Sequence, residues 1–255
     1  MKAKNVWWWK GVTVLALVCV WLAPFACPGG ERTIGASIPV PEGYVRKTYP
    51  RGSFSNWVQR LPLKDEVTIT DYAGRRVIVP FYNVYGVVKM PLLFRADLEQ
   101  CADFSMRFWA EYHRAEEMLD RLYLFDYHGR KQFFKASGLS YREFLRRSFS
   151  GSNSYSLKVG CREVQAGQLG PGDIIVQNRK GGVGHVSMIV DVCESAKGDR
   201  LFLIGYSFMP AQEFHIEKVV AKYGFQGWFT LDGYSLYLRD FLDLGEPVLR
   251  RFVSL

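Results

Sequence analysis

The sequence is short of the side chains that hold metals. Four histidines are spread over 255 residues, and past residue 27 only three cysteines remain, Cys101, Cys161 and Cys193. No two of these stand at a paired metal-ligand spacing, so no metal site is expected. The stretch HRAEE (113–117) lacks the second histidine of HExxH or HxxEH, which leaves a zinc-protease reading without support. GGVGH (181–185) is glycine-rich but runs into a strand pattern instead of a helix, which argues against a phosphate loop. No organic cofactor is called for. Internal repeats and low-complexity tracts are also missing. With 48% hydrophobic and 15% aromatic residues, the length suits one main domain with a single sizeable core.

Positive charge is in excess, 33 basic against 25 acidic residues, but the first 27 residues hold three of the lysines and no acid. Without them the balance is 30 to 25, or +5. No binding motif accompanies the charge, and no nucleic-acid partner is expected. Arginine clusters such as REFLRRS (142–148) read as a solvated face.

The first 27 residues differ in texture from the rest. Lys2, Lys4 and Lys10 precede a run of 17 uncharged residues, Gly11 to Cys27, and PGGERTIG follows. That is the order of a secretory leader. The run is long for a signal core and short for a membrane span, although Trp7, Trp8 and Trp9 extend it toward the interface. A cleaved signal and an uncleaved anchor through residues 7–27 both stand. Either way the lysines favour an exported, periplasmic or cell-surface domain, with the membrane as partner of the N-terminal segment. Cys27 after Ala26 adds lipidation as a third reading, although Pro24 stands where lipoprotein sites usually carry leucine.

Residues 28–50 are rich in Pro and Gly and read as an extended lead-in, with residues 51–255 as a single globular domain. SFSNWVQRL (53–61) reads as a short helix capped by Ser53 or Ser55 and stopped by Pro62. RRVIVPFYNVYGVV (75–88) is strand-like, weakened at Pro80. Leu98, Cys101, Ala102, Ser105, Trp109, Tyr112, Ala115 and Leu119 recur at helical spacing, with Asp97 as N-cap and Gln100 completing a capping box. YREFLRRSF (141–149) suggests another helix and 151–156 a loop. Beyond them GDIIVQN, GHVSMIVDV, RLFLIGYSF, FHIEKVV and GWFTL are short and β-rich, as in an antiparallel meander. Helices first and strands after give an α+β order.

An odd number of cysteines in an exported domain leaves at least one unpaired within the chain. Cys101, in the first turn of its helix, is the candidate nucleophile. Strand alternation puts His185, Ser187, Ile189 and Asp191 on one face and Val186, Met188, Val190 and Val192 on the other. A helix packed on the His185 face would bring the sulfur to the imidazole, which lowers a thiol's pKa and supplies a proton shuttle. Such a pair usually needs a third polar group to hold the imidazole. Arg107 and Glu111, four apart on the Cys101 helix, form a salt bridge or line a cleft, and are candidate substrate-binding residues with His215.

GDIIVQN followed by GHVSMIVDV resembles the Gly-Asp and Gly-His strands of the papain-like NlpC/P60 and CHAP cysteine peptidases and amidases. That resemblance implies Cys101 as nucleophile and His185 as general base. A wider likeness runs from about residue 38 to 252. IPVPEGY, SFSNWVQRLPLK, DLEQCADFSMRFWAEY, GDIIVQ, GHVSMIVDV, SFMPAQEFHI and LRRF resemble, in order, the DUF4846 family of bacterial envelope proteins. It implies a shared fold and names no substrate. The family pattern carries a glutamine where this chain has Tyr206, which weakens Tyr206 as the imidazole-orienting group; Ser207, Gln212 and His215 are the other candidates. The segment after LFDYHG (124–129) is also shorter than in the family.

The expectation is therefore a papain-like, NlpC/P60-type α+β domain that cleaves an amide of the cell envelope, with cell-wall peptides as the natural substrate class. The rival is a non-catalytic envelope lipoprotein or binding module that keeps the fold. An acyltransferase would share the nucleophile.

Overall fold

The structure, a computed structural model, describes residues 32–254. The leader, the anchor and the lipidation at Cys27 lie outside the described residues. Helix α1 (Ile34–Ser37) and strand β1 (Tyr44–Arg46) come first. Ile34 and Ile38 are core residues, and β1 pairs with residues 193–195. The described part of the stretch read as a lead-in thus belongs to the fold; its prolines 39 and 41 fall between the two elements.

Ser53 caps α2 (Phe54–Gln59), its Oγ accepting the Asn56 N–H at 3.2 Å. Of the strand-like 75–88 run only β2 (Val84–Val87) is a strand, since Pro80 sits in a turn and cannot donate to a ladder. Helix α3 (Cys101–Ala115) begins three residues later than expected: Gln100 is its N-cap, and the Asp103 carboxylate accepts the Gln100 N–H at 3.0 Å. Asp97 accepts instead from Ala211 N–H at 2.6 Å and from the Gln100 side chain at 2.9 Å.

Strands β3 (Tyr123–Phe125) and β4 (Lys131–Phe133) form a separate hairpin, followed by α4 (Phe134–Ser137), α5 (Tyr141–Gly151) and α6 (Ser154–Gly160). The expected 151–156 loop is mostly helix ends, because the Asn153 side chain caps α6 through the Tyr155 N–H at 2.8 Å. Then come β5 (Arg162–Glu163), β6 (Ile174–Asn178), β7 (Gly184–Ser195), β8 (Arg200–Tyr206), β9 (His215–Glu217), β10 (Gly224–Phe225), β11 (Trp228–Phe229), α7 (Leu231–Phe241) and β12 (Val248–Arg251). The main path of the large sheet runs β10-β11-β8-β7-β6-β12-β5, with β9 joining β8 to β2. Its pairings are antiparallel. The protein is mixed α/β, a large antiparallel sheet with a few helices, and β6–β7–β8 form the expected meander.

Both faces of the sheet are covered. Val186, Met188 and Val190 pack with α3, in a core that also takes in Phe104, Phe108 and Phe214. Ile189, Val192 and Ile204 pack with Tyr234, Tyr237 and Leu238 of α7 on the other side. The pairing of β7 with β8 shifts register between Ile189 and Asp191. This bulge reverses the simple alternation. Val192 joins Ile189 on the α7 side, and Asp191 bonds Arg46 at 2.7 Å and Gln59 of α2 at 2.6 Å. Among the described residues no helix is long and apolar enough to cross a membrane.

Candidate functional site

Cys101 is the first residue of α3, where backbone N–H groups lack intrahelical partners. The helix lies on the apolar face of β7, not on the His185 face, because Val186, Met188 and Val190 supply the hydrophobic contact there. No hydrogen bond joins the sulfur to the imidazole: neither ring nitrogen of His185 has a partner, and His185 does not line the cleft that Cys101 lines. Met188 lies opposite Gly205, so Val186 faces position 207, the first residue after β8 ends. The Val186 N–H, one peptide bond from His185, is among the groups that oppose the rise of the Cys101 thiol.

Burial dominates the chemistry of the pair. Cys101 is 7% exposed and His185 only 1%. Desolvation pushes the thiol up to about 11, with the Asp103 carboxylate adding to the rise and the N–H groups of Val186, Ala102 and Cys101 opposing it. Desolvation also holds His185 down to about 3, with nearby His215 contributing. At rest the thiol and the imidazole are both neutral.

The His185 ring is held by packing. It meets the Tyr206 ring edge-on, centroids 5.0 Å apart, and the Phe208 ring at 5.5 Å. Neither ring nitrogen has a hydrogen-bond partner. The candidates for the orienting role bond elsewhere. Tyr206 donates to Glu217 Oε1 at 2.9 Å and meets Tyr237 Oη at 2.9 Å. Ser207 Oγ donates to the Gln212 carbonyl at 2.6 Å, and the Gln212 amide donates to Tyr82 Oη at 3.2 Å.

These contacts outline a buried polar layer that the sequence reading did not assemble. His215 Nε2 lies 3.2 Å from Glu217 Oε1, the oxygen that also accepts from Tyr206. The His215 ring meets Tyr82 at a tilt, centroids 4.4 Å apart, and Tyr206 edge-on at 4.6 Å. His215 is therefore buried with Glu217 on the His185 side, and not at an open surface. Its spacing of two from Glu217 on one strand was the available signal.

Arg107 and Glu111 are buried as well. Arg107 Nη1 bonds Glu99 Oε1 at 2.6 Å, while its Nε stands 3.9 Å from Glu111. Glu99 also accepts from the Leu93 and Phe94 N–H groups. The network fixes the loop before α3. Neither Arg107 nor Glu111 lines the cleft at Cys101.

That cleft has a volume of about 400 Å³ and lies between the start of α3, the α5–α6 junction and the 182–184 turn. Gly184 lets the turn approach closely, since a Cβ there would strike the Gln177 carbonyl and Ser154. Cys101 is in its wall; His185 lies behind Gly184 and outside it. All three cysteines among the described residues are free, and no cluster of metal-ligating side chains occurs among those residues.

The chain belongs to the DUF4846 family, described as "Domain of unknown function (4846)", whose model matches residues 34–136 and 126–241. No curated protein and no solved structure matches it.

Proposed function

We propose that this DUF4846 protein is a papain-like cysteine hydrolase of the cell envelope, with Cys101 as nucleophile and His185 as base. The observation that supports it best is the placement of Cys101: first residue of a helix, in the wall of a cleft. The neutral imidazole takes the thiol proton as the sulfur attacks a substrate carbonyl. The N–H groups of Cys101 and Ala102 meet the developing oxyanion. Collapse breaks the C–N bond, the imidazolium protonates the leaving amine, and water releases the acid from the thioester. Peptides of the cell wall are the substrate class by analogy with exported amidases.

The test is hydrolysis of short cell-wall peptides by the purified chain, followed by mass spectrometry. Cleavage lost in Cys101→Ala and in His185→Ala supports the reading, and cleavage that survives Cys101→Ala overturns it. A second reading, a non-catalytic module that keeps the fold, is favoured by one observation: the His185 ring nitrogens have no hydrogen-bond partner to set their tautomer.

A further inference from the structure

The chain carries a net charge of +8, yet the cleft beside Cys101 is lined by two acids, Asp97 and Asp103, and by no lysine, arginine or histidine. Asp97 is engaged by the Ala211 N–H and the Gln100 side chain. Asp103 is not fully engaged. It is 6% exposed, its Oδ2 accepts the Gln100 N–H, and its Oδ1 has no hydrogen-bond partner. A buried carboxylate oxygen without a donor is costly and rare.

We infer that Asp103 is a specificity-determining residue that receives a primary ammonium group of the ligand in the cleft beside Cys101. The ligand class is an amine-bearing peptide, and this deepens the hydrolase reading by naming which end of the substrate is held. An ammonium brings the donors and the positive charge that Oδ1 lacks, and forms a charge-assisted bond. A neutral amide satisfies the oxygen but brings no charge to draw the proton off, and an anionic ligand holds the proton on the carboxyl. The groups around Asp103 agree. Glu99 is its charged neighbour and is itself bonded to Arg107; the Cys101 thiol is on its own helix. From the α5–α6 junction and the 182–184 turn the cleft receives Phe149, Ser150, Ser152 and Gly184, none of them titratable. Burial raises the Asp103 carboxyl well above the usual carboxylate range, so binding of a cation draws a proton off it.

The experiment is calorimetric titration of the full chain in two buffers of different ionisation enthalpy. Three probes are used: alanyl-alanine amide (an α-ammonium), Nα-acetyl-lysine amide (a side-chain ammonium) and Nα-acetyl-alanine amide (neutral). The inference expects at least one amine to bind with proton release, the neutral probe to bind about tenfold more weakly or worse, and Asp103→Asn to lose about tenfold in amine affinity. Which amine binds distinguishes an N-terminus from a diamino-acid side chain. Asp103→Glu, which keeps the charge, retains the preference and controls for folding. Equal binding of neutral probe and amines, unchanged affinity in Asp103→Asn, or no binding of either amine overturns it. Because the readout is binding and not turnover, it stands or falls separately from hydrolysis.

Discussion

The rings of His185 and Tyr206 meet edge-on, 5.0 Å between centroids at 84°, with no hydrogen bond between them. The tyrosine hydroxyl points away, to Glu217 and Tyr237. Tyr206 therefore holds the imidazole by shape and serves the layer behind it by hydrogen bonding. Tyr206→Phe keeps the ring and removes the hydroxyl. It should cost about 1–3 kcal/mol in urea denaturation while leaving the His185-dependent reactivity of Cys101 unchanged. A variant that keeps its stability but loses that reactivity would show that the hydroxyl does serve the imidazole.

Acid should find His185. Burial holds it at about 3 in the folded chain, against about 6.5 when unfolded. Between those values the unfolded chain binds a proton that the folded chain refuses. Stability is full above pH 6.5 and falls as pH drops, by about 1.4 kcal/mol per unit, or about 2 kcal/mol by pH 5. Urea midpoints at pH 7 and pH 5 should show His185→Phe losing about 2 kcal/mol less than the parent; equal losses would contradict a neutral buried histidine.

The Arg107–Glu99 pair is the buried charge that fixes the approach to α3. Arg107→Met strands Glu99 in the interior and should destabilise by about 3–5 kcal/mol. A double variant, Arg107→Met with Glu99→Gln, should recover part of that loss in the same denaturation series. A single variant as stable as the parent would contradict the pairing.

Local signals were legible in the sequence where local physics decided the outcome. Ser53 announced its helix through capping, and the meander strands announced themselves through β-branched runs between turn residues. Cys101 in a first helical turn was legible too, although the cap moved from Asp97 to Gln100 because Asp97 is drawn to Ala211, 114 positions away. What the sequence could not show depends on such long-range contacts. The bulge between Ile189 and Asp191 put Val192 on the α7 face and Asp191 toward Arg46 and Gln59, which no period-two count reveals. The polar layer needs Tyr82, 133 positions from the His215 ring it packs against. Helix α7 lies in an aromatic run, LDGYSLYLRDF, whose helical face becomes evident only against Ile189 and Ile204.

The claim at the centre is that His185 serves the Cys101 sulfur, and the pH profile of Cys101 alkylation by iodoacetamide tests it most directly. A thiol pushed up to about 11, acting alone, should react about tenfold faster with each pH unit up to that value. A neutral imidazole that takes its proton adds a component that is flat from about pH 5 to 8. The account predicts that flat component in the parent chain and its disappearance in His185→Ala, leaving only the rising line. Superimposable profiles for the two proteins would contradict it.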